Sequence, residues 1–289
     1  MSYLKALLSD YTINNVNDAE NALKEIVQHV ALLALWRSKF FEHAAFYGGT
    51  ALRMFYQLNR FSEDMDFSLI TKNRQFDLKP YLESIEKECA ACGLKMTSKY
   101  KEKTNKTFIE SAFLKGNTLE NMIAIELPEE LTQSYHVGKQ LKIKFEVDIN
   151  PPPLAKYEVK TLLNPIPFQV KLYQPSSLFA GKCHALLCRK WKNRIKGRDF
   201  YDFLWYVGKK VPLDLKHLQA RMIQSEHLKP SEVFSAKDFQ KKLKERFAEV
   251  DYNLAKADVA PFIVDPDALN LWSESFFINF IKDVIILSE

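Results

Sequence analysis

Two aspartates one residue apart, Asp64 and Asp66, follow shortly after a glycine pair, Gly48-Gly49. The two stretches read Phe46-Tyr-Gly-Gly-Thr-Ala-Leu-Arg53 and Phe61-Ser-Glu-Asp-Met-Asp-Phe67. If residues 64–67 are extended, both aspartates project to one face while Met65 and Phe67 enter the core. Carboxylates held that close repel each other unless a cation shares them. Hard oxygen donors of this kind suit Mg²⁺ or Mn²⁺. The glycine pair reads as a strand-to-helix turn, with Thr50 the expected N-cap, whose backbone N–H groups approach a phosphate. Alone, each motif is usually an ordinary strand end or turn; together they are more informative.

A third carboxylate should come from a neighbouring strand. Lys144, Glu146 and Asp148 alternate with Ile143, Phe145, Val147 and Ile149, so the three polar residues share a face. Asp148 is the expected third metal ligand and Glu146 the alternative; the competing reading is the wet face of an edge strand guarded by lysine. Downstream, Lys182 and Arg189 lie two turns apart on an expected helix with Ser176 or Ser177 as its cap. They open a run of seven basic residues: Lys182, Arg189, Lys190, Lys192, Arg194, Lys196 and Arg198. Such clustering suits phosphate or nucleic-acid contact, although basic runs are often simply solvated. Arg198-Asp-Phe-Tyr-Asp202 follows, with Asp199 and Asp202 on one side of a helix start and Arg198 spaced to pair with Asp202. Phe200, Phe203, Leu204 and Val207 form its expected core stripe.

The elements that must position these residues are legible in outline. Helical periodicity runs over residues 18–43, through Ala22, Leu23, Ile26, Val27, Val30, Leu33 and Ala34. A short strand over 45–47, a helix restarting at Thr50, a strand within 61–70 and a helix over 78–92 closed by Gly93 follow. Strands are expected near 94–101, 107–114, 141–149, 157–163 and 168–173, with Pro151-Pro152-Pro153 ending the third. From Pro175 the pattern is helical to the end. The expected organisation is therefore an α+β region over residues 1–174 and a helical region over 175–289.

Composition sets the outer limits. A hydrophobic share of 47% with 27% charged residues across 289 positions excludes a disordered or fibrous chain. Lys+Arg 41 against Asp+Glu 36 leaves +5, so nucleic-acid binding would need local clustering of charge. No signal-peptide pattern or bilayer-length apolar run is visible, and a cytoplasmic protein without membrane contact is expected. Cys89, Cys92, Cys183, His184 and Cys188 raise the question of zinc, but the cysteines fall in helices with apolar neighbours and read as core residues.

Taken in order, Gly-Gly-Thr-x-x-Arg, Ser-Glu-Asp-x-Asp-Phe, Lys-x-x-Ala-Leu-x-x-Arg and Arg-Asp-x-x-Asp resemble the AbiEii/AbiGii nucleotidyltransferases, toxins of bacterial toxin–antitoxin and abortive-infection systems. The matching segments are Gly48–Arg53, Ser62–Phe67, Lys182–Arg189 and Arg198–Asp202. The resemblance implies a polymerase-β-like nucleotidyltransferase core with a mixed sheet and a helical C-terminal half. It implies that Gly48, Gly49, Thr50 and Arg53 hold the nucleotide together with Lys182 and Arg189, that Asp64 and Asp66 bind metal, and that Lys182 contacts phosphate. Asp199 and Asp202 fall in the last acidic motif and complete the expected catalytic set. The implied reaction transfers NMP from an NTP to an RNA acceptor, the tRNA 3′ end being expected, with a cognate antitoxin as partner. A small-molecule or protein hydroxyl as acceptor, and a catalytically silent nucleotide- or nucleic-acid-binding module, remain open alternatives.

Overall fold

The alternation around the paired aspartates is realised as a strand whose inward side chains are aromatic or aliphatic. The computed structural model describes residues 3–102, 107–132, 135–164, 166–191 and 195–287. Its elements run α1 (Tyr3–Leu8), α2 (Val16–Arg37), β1 (Ala44–Tyr47), α3 (Gly48–Tyr56), β2 (Met65–Leu69), α4 (Lys79–Ala91), β3 (Thr97–Lys101), β4 (Ile109–Asn117), α5 (Thr118–Ala124), α6 (Glu129–Thr132), β5 (Gln140–Asp148), β6 (Tyr157–Leu162) and β7 (Phe168–Tyr173). Among the described residues, the α-helices that follow are α7 (Pro175–Cys188), α8 (Gly197–Gly208), α9 (Leu215–Gln224), α10 (Ala236–Ala248), α11 (Tyr252–Val259) and α12 (Glu274–Ile281). The seven strands form one mixed sheet in the order β3-β4-β5-β2-β1-β7-β6. The expected α+β architecture, a mixed sheet followed by helices, is what the chain adopts.

The chain divides into two compact units. The first comprises residues 1–51, 63–151 and 159–172; the second comprises 52–62, 152–158 and 173–289. In the first, β1 pairs antiparallel with β2, and β2 pairs parallel with β5. Phe46, Phe67 and Phe145 stack from strand to strand, with ring centroids 4.8 and 4.7 Å apart. Each such pair contributes about 0.5–1.5 kcal/mol beyond simple burial. Because side chains alternate along a strand, this inward ladder fixes the carboxylates of β2 and β5 on the opposite face.

Helix α2 buries Leu23, Ile26, Val27, Val30, Leu33 and Ala34 as expected, with Asn15 as its cap. It ends at Arg37 rather than near residue 43, because Lys39 takes a left-handed conformation (φ 61°) and a short 3₁₀ turn begins at Phe40. Helix α4 closes at Gly93, whose φ is +83°. Helix α5 carries no long apolar period and was not visible in the sequence; Asn117 caps it.

The second unit is helical apart from its shorter segments. Helix α8 buries Phe200, Phe203, Tyr206 and Val207, while Leu204, expected in that stripe, is only half-buried. Its first residue, Gly197, is pressed against α11: a Cβ there would lie 1.7 Å from the Ala255 carbonyl oxygen, so no other residue fits. Gln174, not Ser176 or Ser177, occupies the N-cap position of α7, because Pro175 starts the helix and the Ser177 hydroxyl accepts from the Lys156 amide instead.

His217, on α9, donates from Nδ1 to the Pro153 carbonyl at 2.6 Å, while its buried Nε2 has no hydrogen-bond partner. Burial pushes its pKa down to about 4; the Pro153 bond works against that shift and Arg221 adds to it. The unfolded chain therefore takes up a proton near pH 6.5 that the folded chain refuses, so stability is full above that pH and is lost as the pH falls towards 4. Urea unfolding between pH 7 and pH 5 should show this loss, and His217→Asn should flatten the slope.

Candidate active site

Gly48 follows directly on β1 and opens α3 with φ +85°. Tyr47 pairs with Asp66 across the β1–β2 ladder, which brings the Asp66 side chain against Gly48. A Cβ at residue 48 would lie 2.5 Å from Asp66 Oδ2. Glycine is thus required twice, for the left-handed backbone and for the approach of the carboxylate. Thr50 is not the N-cap: α3 begins two residues earlier, and the buried Thr50 hydroxyl donates to the backbone carbonyl of Asp64. It ties the helix start to the residue that leads into β2, the strand that carries Asp66.

Asp64 and Asp66 are half-buried, flanking Met65, which is fully buried. The parallel register sets Glu146 opposite Asp66, and Asp148 opposite Ser68. Asp148 also accepts from the Asn150 amide at 2.9 Å. The Lys144 ammonium sits 2.8 Å from Glu146 Oε1. Burial alone would lower its pKa, but the bond to Glu146 and the charges of Glu146, Asp64 and Asp66 outweigh that and raise it. One cation is therefore already attracted by three carboxylates on this face, which is the property a divalent ion requires. Asp64, Asp66 and Glu146 would offer oxygen donors, a set that fits Mg²⁺ or Mn²⁺.

The second unit holds a separate ion network. Arg60 forks onto Asp202, with Nε–Oδ1 at 2.6 Å and Nη2–Oδ2 at 2.7 Å. The Lys182 ammonium lies 2.8 Å from both Asp199 and Asp202. Arg189 reaches Asp199 at 2.6 Å. Burial opposes the charges of Arg60, Lys182 and Asp202, yet Arg60 and Lys182 hold the Asp202 carboxyl below its usual range. Likewise Asp199 and Asp202 raise Lys182 despite its burial. Three cations face two carboxylates, so these five groups leave one positive charge, with Arg189 the most exposed member.

Lys182, Arg189, Asp199 and Asp202 are thus brought together as a group, but Arg198 does not pair with Asp202. It lies 3.8 Å from Asp258 and over the Phe262 ring, because Arg60 and Lys182 already occupy the Asp202 carboxylate. Arg53 spans to the Leu58 carbonyl and stacks on Phe61. Within the basic run, Lys192 and Arg194 lie outside the described residues; among the others only Arg189 and Lys190 are exposed. Arg60 was missed in the sequence because it belongs to no motif, and its partner lies 142 residues away. Cys89 and Cys183 are buried core residues, their thiols raised by burial.

The description "nucleotidyl transferase AbiEii toxin, type IV toxin–antitoxin system" applies to a family model that matches residues 30–274. That span covers both the Gly48–Asp66 constellation and the Arg60–Asp202 network. The chain belongs to the AbiEii nucleotidyltransferase toxin family. It is accordingly a nucleotidyltransferase of a type IV toxin–antitoxin family. Two solved structures are similar at 16% identity and a TM-score of 0.49: a Helicobacter pylori protein described as a nucleotidyltransferase, and JHP933 from Helicobacter pylori. The alignments cover 90% of this chain and 92% of the first, and 89% and 88% for the second. Comparison with curated proteins finds no match. Among the described residues no helix is long and apolar enough to cross a membrane.

Two substitutions separate the roles of these clusters in this AbiEii-family chain. Arg60→Ala leaves Asp202 buried with half of its compensation and should cost about 3–5 kcal/mol of stability, read by denaturant unfolding. Gly48→Ala should cost about 1–2 kcal/mol for the left-handed backbone, and should also displace the Asp66 carboxylate, lowering activity more than stability.

Proposed function

We propose that this chain transfers a nucleoside monophosphate from an NTP to a hydroxyl of an RNA acceptor, the 3′ end of tRNA being the expected substrate. The observation that carries this reading is the register of β2 and β5, which aligns Asp66 with Glu146 beside the glycine-opened start of α3. Asp64, Asp66 and Glu146 would hold the divalent ions; Glu146 takes the third position rather than Asp148, which is opposite Ser68 and engaged with Asn150. When bound, Mg²⁺ supplies charge neutralisation for the triphosphate and lowers the pKa of the acceptor hydroxyl.

The residues of the chain account for the remainder. Gly48 and Gly49 present backbone N–H groups at a helix start, where an anionic phosphate is favoured. Thr50 holds that start in register with Asp64. The acceptor oxygen forms a bond to the α-phosphorus as its proton passes to solvent and the bond to pyrophosphate breaks, and the Asp64–Asp66–Glu146 face would hold the cations that offset the charge that develops. Lys182 is committed to Asp199 and Asp202, so its role is to hold α7 and α8 around a shared charge. Arg189 and Lys190, exposed at the end of α7, are the groups suited to the phosphates of RNA. As a member of a type IV family, the chain is expected to have a cognate antitoxin.

Incubation with each labelled NTP and total cell RNA should transfer label to RNA in the presence of Mg²⁺. Asp66→Asn and Glu146→Gln should reduce incorporation at least about 100-fold, as loss of a positioned electrostatic group does, whereas Asp148→Asn should retain most of it. Label entering protein or a small molecule instead would reject RNA as acceptor; full activity in Asp66→Asn would reject the site. RNA affinity should fall steeply between low and high salt, and Arg189→Ala with Lys190→Ala should shallow that slope by about 1–2 charges.

A further inference from the structure

A second cluster with ligand chemistry lies in the C-terminal unit, away from the carboxylate-bearing strands in sequence and of softer character. His184 and Cys188 are four residues apart on α7 and therefore project from the same face. His227 comes from the turn after α9. That turn is set by a left-handed Glu226 (φ 62°) and by the His227 amide, which donates to the Met222 carbonyl at 2.8 Å. One ligand atom from each of the three side chains lies within 4.8 Å of the others. The Ser225 hydroxyl stands 2.8 Å from His184 Nε2 and 2.9 Å from His227 Nδ1, so the two rings already converge on one polar point.

The protonation states suit a metal. Burial drives His184 down to about 3, with Arg221 and His227 adding to the shift, so its ring stays neutral with a lone pair to offer. Burial holds the Cys188 thiol up at about 11, against the pull of Lys242, Arg246 and Arg221. The same cationic surroundings favour the thiolate once an ion replaces its proton. His227 is exposed and gives an entry path from solvent.

We propose that His184, Cys188 and His227 bind a single divalent transition-metal ion of the zinc type, which fastens the turn after α9 to the end of α7. One thiolate and two imidazoles are the nitrogen and sulfur donors that zinc prefers, with water in the fourth position. Ligand atoms in a tetrahedral site stand about 3.5 Å apart, so side-chain rotation that breaks the Ser225 contacts closes the cluster. Binding releases the Cys188 proton to solvent. Magnesium, which demands oxygen donors, would not compete here.

The test is titration of the metal-stripped full-length protein with Co²⁺, followed by Zn²⁺. Co²⁺ should produce a thiolate charge-transfer band in the near ultraviolet that saturates at one equivalent and is displaced by Zn²⁺. The band should vanish in Cys188→Ser and weaken strongly in His227→Ala, an exposed position where folding is not at risk, and persist in Cys92→Ser. Zn²⁺ should raise the melting temperature of the unmodified protein but not that of Cys188→Ser. Absence of the band, its survival in Cys188→Ser or His227→Ala, or its loss in Cys92→Ser would overturn the assignment.

Discussion

The Asp66 carboxylate lies against the backbone of residue 48, and the arrangement of the candidate site follows from that approach. A side chain at position 48 would collide with Asp66 Oδ2, and the backbone there is left-handed, so glycine is required on both counts. The contact joins a helix start, which favours anions, to a strand face, which favours cations. A triphosphate with divalent ions needs both kinds of surface side by side. The stacked rings of Phe46, Phe67 and Phe145 make the arrangement stiff, since a one-residue slip of β2 would turn the carboxylates inward and the rings outward.

The C-terminal unit meets a different constraint. Asp202 is fully buried, and a buried charge is tolerated only when its partners are well placed. Arg60 and Lys182 fill that role and thereby fasten the segment 52–62 to α7 and α8. The segment that carries Arg60 leads along the chain into Asp64 and β2, so a motif that looks catalytic in the sequence is also an anchor for the polypeptide that follows the glycine pair.

Much of this was legible beforehand because it rests on short-range rules. Alternation placed Met65 and Phe67 inside with Asp64 and Asp66 outside, and the apolar period of α2 needed only its own residues. What failed was non-local. Ser177 looks like a cap, but Pro175 started the helix one turn too early for it, and its hydroxyl serves Lys156. Arg198 had the spacing for Asp202, but a bidentate arginine from residue 60 was already there, and bidentate geometry outcompetes an i,i+4 surface pair. Which of Glu146 and Asp148 lies opposite Asp66 depends on the inter-strand register, which alternation within one strand cannot supply. Helix α5, short and weakly periodic, depends on its cap and on tertiary contacts.

The central claim is that Asp64, Asp66 and Glu146 jointly hold divalent ions beside the glycine-opened helix start. Electron paramagnetic resonance of Mn²⁺ in the presence of a non-hydrolysable NTP analogue reads that claim without turnover. The account predicts bound Mn²⁺ in the unmodified protein, and weak or absent binding in Asp66→Asn with its unfolding curve intact. Equal Mn²⁺ binding by the two proteins would contradict it.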